Sequence, residues 1–166
     1  KGVKIRGLNP LTDKALSAIG AATSAMPGSE VYQALQSGVL DAGLTDISAA
    51  YSRKYYEIQK FGTVAPYFSV YFHMYANPAW WNGLKPAHRA AIQAAAAKAE
   101  ADAIPATEKT AEDAVTQLKA KGMTLHLQTP AESAQWKAAM QKPVIDEFLK
   151  TAPDGGAKIV ALLNKL

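Results

Sequence analysis

The chain has 166 residues, of which 49% are apolar, which is enough to bury one sizeable core. Its net charge of +4 comes from 15 lysines and 3 arginines that are interleaved with acids, whereas a nucleic-acid interface would cluster them on one face. The chain has no cysteine, and its apolar runs fall short of the roughly 20 positions that a membrane span needs. These features predict a soluble globular protein with no nucleic-acid partner.

The first third of the chain alternates short apolar runs with helical patterns. The predicted strands are Val3 to Arg6, Ala22 to Met26 and Val39 to Leu44. Between them, apolar spacing predicts helices from Leu11 to Ile19 and from Glu30 to Ser37, the second with Ser29 as its N-cap and Gly38 as its stop. Strands that alternate with helices through short loops predict βαβ units and a largely parallel sheet, that is, an α/β fold.

The middle of the chain changes character. An amphipathic helix is expected from Ala49 to Lys60, and the Tyr-, Phe- and Val-rich stretch from Phe61 to Ala76 predicts long or paired strands. The Ala-rich stretch from Pro86 to Lys121 predicts one very long helix. Pro105 removes a backbone donor inside it, so we expect a bend or break near Ala101 to Pro105.

The end of the chain returns to short elements. Met123 to Gln128 alternates and predicts a strand. Thr129 and Glu132 form the sequence pattern of a capping box with Pro130 at the first helical position, and this predicts a helix toward Lys150 with an interruption at Pro143. A last short helix is expected after Asp154-Gly155-Gly156.

Catalytic and metal chemistry have little support in the sequence. His73, His88 and His126 stand in three different contexts, and no two have the spacing of metal ligands on a helix. Ser29 lies between Gly28 and Glu30, but the G-x-S-x-G elbow of a serine hydrolase is absent, and a helix cap explains this serine. We therefore expect no catalytic residue, no metal and no cofactor.

Arg6 is the strongest candidate for ligand binding. It ends the first predicted strand, at the carboxyl edge where open α/β sheets bind ligands. A guanidinium group can hold a carboxylate through two parallel hydrogen bonds, which a lysine cannot imitate. The alternative interpretation is a structural salt bridge to Asp41 or Asp46, and the pattern alone does not separate the two.

Aromatic residues are concentrated before the long helix. They are Tyr67, Phe68, Tyr71, Phe72 and Tyr75. Such side chains can line a ligand cleft with apolar walls and polar tips, although core packing is the commoner use. Trp80 and Trp81 follow Pro78 and are expected to begin a helix and fill a lobe.

Several stretches resemble one known family. KIR, MPGSEVYQALQSGVLDAG, YYEIQKF and WWNGLKPAHRAAI are similar to signature stretches of the solute receptors of tripartite ATP-independent periplasmic (TRAP) transporters. The resemblance covers essentially the whole chain. It implies the second, C-terminal lobe of a two-lobed periplasmic-binding-protein-like fold, with residues 1–65 and 113–166 in that lobe. Residues 66–112 would supply crossing strands and a long kinked helix to the other lobe, whose N-terminal part is absent.

The resemblance also implies a set of ligand-binding residues. Arg6 matches the arginine that clamps the ligand carboxylate, and Asn9 lies where sialic-acid receptors have an asparagine. Thr45 stands where those receptors have another asparagine, which argues against sialic acid. Many members have an aromatic residue at the position of Gly28, so its absence is expected to leave space for a bulkier ligand. Tyr67 and Phe68 complete the predicted site.

The implied function is capture, not catalysis. A receptor of this kind would bind a small organic acid by hinge closure in the periplasm and deliver it to the TRAP membrane permease. Its precursor would carry a signal peptide, which KGVKIRGLNP does not resemble. The alternatives are a sensing or oligomeric binding lobe and an α/β hydrolase. If one lobe is incomplete, exposed aromatic surface should also cause the chain to associate with itself.

Overall fold

The computed structural model describes residues 1–68, 70 and 72–165. Three parallel strands form one sheet in the order β2-β1-β3, where β1 is Lys4–Gly7, β2 is Ala22–Ala25 and β3 is Ala42–Gly43. The helices that connect them are α1 (Pro10–Ala18) and α2 (Val31–Gln36). Parallel neighbours need such crossovers, and the predicted βαβ arrangement is confirmed.

A second sheet has only two strands, which are also parallel. Phe61 of β4 lies opposite Thr124 of β5, and Val64 lies opposite Leu127. The elements after β3, in chain order, are α3 (Ile47–Ser52), a 3₁₀ helix (Tyr55–Glu57), β4 (Phe61–Val64), α4 (Pro78–Gly83), α5 (Pro86–Ala120), β5 (Thr124–Leu127), α6 (Pro130–Thr151) and α7 (Gly156–Leu163). The predicted strand before α6 and the short helix at the end are confirmed.

The core divides between two packed regions. Val31, Leu35, Leu40 and Tyr55 form a cluster under the three-stranded sheet, and each is at most 7% exposed. On α1, which packs along α6, Ala15 and Leu16 are buried. The sheet that carries Arg6 therefore packs against closely packed buried side chains, which fix the position of its edge.

Two predictions about α2 and α3 are wrong. Ser29 does not cap α2, because Glu30 is the N-cap and a turn that is closed by the Glu30 N–H bond to the Pro27 carbonyl (3.1 Å) already leads into the helix. The expected helix from Ala49 to Lys60 is split, since Lys54 adopts a left-handed conformation with φ of 57°. This break turns the chain so that Tyr55 enters the core.

Both long helices run through their internal prolines. The helix α5 is continuous through Pro105, and α6 is continuous through Pro143. The predicted interruption in α6 is therefore wrong, and of the bend or break predicted in α5 the break is absent. The capping box at the start of α6 is confirmed, because the side chains of Thr129 and Glu132 each accept a hydrogen bond from the other's backbone N–H.

The aromatic stretch forms less strand than expected. Between Phe61 and Ala76, β4 is the only strand among the described residues, so the crossing strands are not seen there. A strand is stable only where its backbone groups pair with those of a neighbouring strand. Pro66 cannot take part in such pairing as a donor, because it has no backbone N–H. Phe72 is 96% exposed and Tyr75 is 85% exposed. Tyr71 lies outside the described residues.

Candidate ligand-binding site

Arg6 lies across the carboxyl ends of all three strands of the first sheet. Its side chain is buried, with 7% of its surface exposed. Nε donates to the carbonyl oxygen of Met26 at 3.2 Å, just after β2, and Nη1 donates to that of Leu44 at 2.8 Å, just after β3. The guanidinium group is thus fixed at the edge where the sequence predicted it.

Neither proposed acidic partner pairs with Arg6. Asp41 accepts a hydrogen bond from the backbone N–H of Lys4 at 2.8 Å and lies 3.9 Å from its Nζ. Asp46 instead caps α3 and accepts from the backbone N–H groups of Ser48 and Ala49. Every ion pair among the described residues uses a lysine or a histidine. The structure therefore does not support the salt-bridge interpretation of Arg6.

The electrostatic surroundings of Arg6 are mixed. Burial lowers the pKa of the Arg6 guanidinium from its usual value, and the positive charge of Arg53 lowers it further, whereas Tyr55 and Asp13 raise it. An arginine stays protonated at neutral pH in spite of such shifts. Two of its five N–H donors are used by the two carbonyls, and no hydrogen bond from Nη2 to another described residue is present. Arg6 can thus present donors to an anion.

Two buried polar atoms near Arg6 also lack partners. They are Oδ1 of Asp13 and the hydroxyl of Tyr55, which have no hydrogen-bond partner among the described residues. The Asp13 carboxylate lies directly against Gly7, where a Cβ atom would overlap it. Gly7 therefore admits the first turn of α1 close to β1. Buried groups of this kind usually find a partner, and the charges of both Asp13 and Tyr55 act on Arg6.

Arg53 fills the space that the sequence left open at Gly28. A Cβ atom on Gly28 would lie 2.6 Å from both Cζ and Nη2 of Arg53. Nη1 of Arg53 also lies 3.5 Å from the hydroxyl oxygen of Thr45. The expectation that Gly28 leaves room for a bulkier ligand is therefore wrong, because a guanidinium group occupies that room.

Sequence reasoning missed Arg53. It follows α3, at a position that no local pattern marks as functional. The available signal was composition, since the chain has only three arginines and two of them lie at this edge. Thr45, which is half-buried, follows Leu44 and so lies at the same edge as Arg6.

The other three predicted site residues line a separate groove of about 690 Å³. Asn9, Tyr67 and Phe68 lie in it together with apolar side chains of α1, α6 and α7. The Tyr67 hydroxyl donates to the Thr12 carbonyl at 3.4 Å, and burial, followed by the charge of Asp13, raises its pKa. Neither Arg6 nor Thr45 lines this groove.

Asn9 has a structural task in addition to any role in binding. Its side-chain oxygen accepts hydrogen bonds from the backbone N–H groups of Leu11 (3.0 Å) and Thr12 (3.1 Å) and so caps α1. This cap uses the oxygen of the amide and not its nitrogen. Only the nitrogen is therefore available to a ligand without loss of the cap.

Two arrangements that the sequence raised, a metal site and a serine–histidine pair, are absent among the described residues. No three His, Asp or Glu side chains there are grouped so that they could hold a metal ion. Nε2 of His126 lies 2.9 Å from Oε1 of Glu132 on the surface. Among the described residues, Ser29 has no hydrogen bond to a histidine. Nor is any helix in the described ranges both long and apolar enough to cross a membrane.

Comparison with protein families gives one match over most of the chain. The model of bacterial extracellular solute-binding protein, family 7 (DctP), matches residues 1–151. The chain is 31% identical over 165 residues to the C4-dicarboxylate-binding periplasmic protein DctP of Rhodobacter capsulatus, covering 98% of this chain and 48% of that protein. It is 27% identical to the 2,3-diketo-L-gulonate-binding periplasmic protein YiaO of Escherichia coli K12, covering 98% and 49%.

Solved structures show the same fold. A TRAP periplasmic solute-binding protein from Ralstonia eutropha H16 with bound (S)-2-acetolactate superposes with a TM-score of 0.83 at 27% identity. The match covers 100% of this chain and 55% of that one. The predicted periplasmic-binding-protein-like fold is confirmed, and the chain spans about half the length of the relatives it matches.

Proposed function

We infer that this chain is part of a solute receptor, because it belongs to the bacterial extracellular solute-binding proteins of family 7. The receptor binds a small organic acid in the periplasm and delivers it to the membrane permease of a TRAP transporter. Relatives support each part: DctP of Rhodobacter capsulatus is named for C4-dicarboxylates and for the periplasm, and the Ralstonia protein holds acetolactate. Binding is the whole task, and no bond is made or broken.

The observation that carries this proposal is the buried guanidinium group of Arg6. An unpaired charge in a protein interior costs several kcal/mol unless an anion or hydrogen bonds compensate it. Two carbonyl oxygens hold Arg6 in place; the charge of Asp13 acts on it, but no carboxylate of the described residues forms a direct ion pair with it. The carboxylate of a ligand supplies the missing negative charge and accepts two hydrogen bonds.

The receptor can close over the acid because this site lies at an open edge of the sheet. We assign residues 1–65 and 113–166 to one lobe, as the packing of α1 along α6 supports. Residues 66–112 extend toward the other lobe, whose closure over the acid excludes water. Tyr67 and Phe68 contact the apolar part of the ligand, and the amide nitrogen of Asn9 donates to it. The proximity of Asp13 to both Arg6 and Tyr67 supports a connection between the two groups of residues.

The exposed aromatic surface supports an interaction partner for residues 72–83. Met74, Tyr75, Trp80, Trp81 and Ile92 line a depression of about 540 Å³. Apolar surface of this kind is costly in water. The 166-residue chain by itself should therefore form dimers or larger species, measured by light scattering with an apolar-surface dye. A monomer that binds no dye would show that this surface needs no partner.

Titration calorimetry of the full-length receptor tests the function. A panel of three- to six-carbon acids and their uncharged amides separates carboxylate recognition from shape. We expect at least one acid to bind with a micromolar or lower Kd and its full amide not to bind. If no acid in the panel binds, or if the amides bind equally well, the receptor does not recognise organic acids through a carboxylate.

A further inference from the structure

Two guanidinium groups bridge the same pair of loops. Arg6 donates to the carbonyls of Met26 and Leu44. Arg53 lies against Gly28, two residues after Met26, and against Thr45, one residue after Leu44. Both loops follow strands that flank β1, so both positive charges lie at one end of the sheet. Their proximity also shows in the pKa of Arg6, which the charge of Arg53 lowers.

We propose that Arg53 binds a second anionic group of the ligand, so that the receptor prefers dicarboxylates to monocarboxylates. The proposal rests on the function inferred above, and it adds a residue that selects among organic acids. One carboxylate lies on Arg6 and the other on Arg53. A dianion neutralises both guanidinium groups, whereas a monoanion leaves one positive charge beside the other.

A purely structural role does not explain the position of Arg53. Basic residues at helix ends often stabilise the helix dipole by bonding its last carbonyls. The side chain of Arg53 makes no such bond among the described residues, and its one hydrogen-bond contact is Thr45, at 3.5 Å. A contact this long holds the side chain weakly, so a ligand can draw the guanidinium group into a tighter geometry.

Gly28 makes this arrangement possible for a steric reason. Its backbone does not adopt the left-handed conformation that demands glycine, since the glycines with positive φ are Gly2, Gly20, Gly38 and Gly122. A side chain at this position would instead overlap the Arg53 guanidinium, at 2.6 Å from Cζ. Gly28→Ala should therefore displace Arg53 without deforming the loop.

The experiment compares diacids with their monoamides, which keep the shape and lose one charge. The full-length receptor is titrated calorimetrically with malonate, succinate, glutarate and the three monoamides. We expect Arg53→Gln to weaken the best diacid about 10- to 100-fold, as the loss of a charge-assisted hydrogen bond implies, and to change monoamide binding less than about threefold. Gly28→Ala should also weaken diacid binding and leave monoamide binding nearly unchanged. Arg6→Gln should weaken the binding of both.

Controls separate this proposal from its premise. Arg89→Gln removes the same charge from α5 and should leave both affinities unchanged. Melting curves of each variant confirm folding. Equal loss of diacid and monoamide binding in Arg53→Gln, no loss in either, or a wild-type receptor that binds monoamides as tightly as diacids would overturn the role of Arg53 alone. A wild-type receptor that binds neither the diacids nor the monoamides but binds another acid of the panel would overturn the role of Arg53 and leave the proposed function standing, whereas one that binds no acid of that panel would overturn both.

Discussion

The middle and the C-terminal part of α5 belong to one continuous helix and have different environments. Near the C-terminal end, Ala114 and Leu118 are almost completely buried, where α5 packs against α3 and leads into β5. Ile104, halfway along the helix, is 64% exposed. Helical propensity is high over the whole Ala-rich stretch. Propensity therefore accounts for the helix, but it does not tell which part of the helix is buried. Only burial distinguishes the packed C-terminal part of α5 from its exposed middle.

The largest expected effect is on stability at the buried end. Leu118→Ala should lower the free energy of unfolding by about 2–5 kcal/mol, because a fully buried leucine leaves a cavity when it is truncated. Ile104→Ala, the matched truncation on the exposed part of α5, should cost less than about 1 kcal/mol. Urea denaturation of both variants measures the difference. Equal losses of unfolding free energy would mean that Leu118 and Ile104 are buried alike.

The next effect concerns binding at the sheet edge. Arg6→Lys keeps the positive charge and loses the two-pronged geometry, so carboxylate affinity of the full-length receptor should fall about 10- to 100-fold, or roughly 1.4–2.8 kcal/mol. Calorimetric titration measures it, with Arg89→Lys in α5 as the matched control. Unchanged affinity in Arg6→Lys would remove Arg6 from the site.

A smaller effect is expected between the two ends of α5. Pro105 has no backbone N–H, so the carbonyl of Ala101 lacks its helical partner. Pro105→Ala restores that bond, and we expect a gain of about 1–2 kcal/mol after allowance for the freer unfolded chain. Thermal unfolding and hydrogen exchange of residues 101–109 report it. A loss of stability would indicate that the proline shape is needed there.

The smallest effect is the pH dependence of the α6 cap. Hydrogen bonds from the Thr129 backbone and side chain, followed by His126, lower the pKa of the exposed Glu132 below its usual value of 4.5. The stabilisation is therefore complete above the unfolded pKa and is lost as the pH falls through the folded one. The melting temperature of Glu132→Gln should lie below that of the wild type at pH 7, and the difference should shrink below pH 4. A constant difference would rule out titration of this carboxylate.

Local signals in the sequence were reliable where the structure satisfies them within one or two turns. The Thr129 and Glu132 cap needs only its own helix end, and Gly38 and Gly122 follow helices in left-handed conformations with φ of 74° and 89°. Alternation of strands and helices was enough for the parallel sheet and for the placement of Arg6 at its carboxyl edge.

Local signals also failed at Ser29, which does not cap α2, and at Pro143, which does not interrupt α6. Other failed predictions depended on distant residues. Strand propensity in residues 65–76 produced no strand in the described part, because a strand needs a neighbour and propensity does not provide one. The helix expected from Ala49 to Lys60 is split at Lys54, which brings Tyr55 onto Val31 and Leu35 in the core. Local pattern cannot anticipate packing of this kind.

The sequence by itself therefore determined the parallel sheet, the α6 cap, the family resemblance and the first arginine of the candidate site, since each depends on residues close together in the chain or on a motif. Only the tertiary structure decided that Arg53 lies over Gly28, that Asp41 and Asp46 are used elsewhere, and that Asn9, Tyr67 and Phe68 share a groove apart from Arg6. The physical reason is that a guanidinium group on a long flexible side chain lies where space and charge permit. That space is set by a glycine 25 positions away in the sequence.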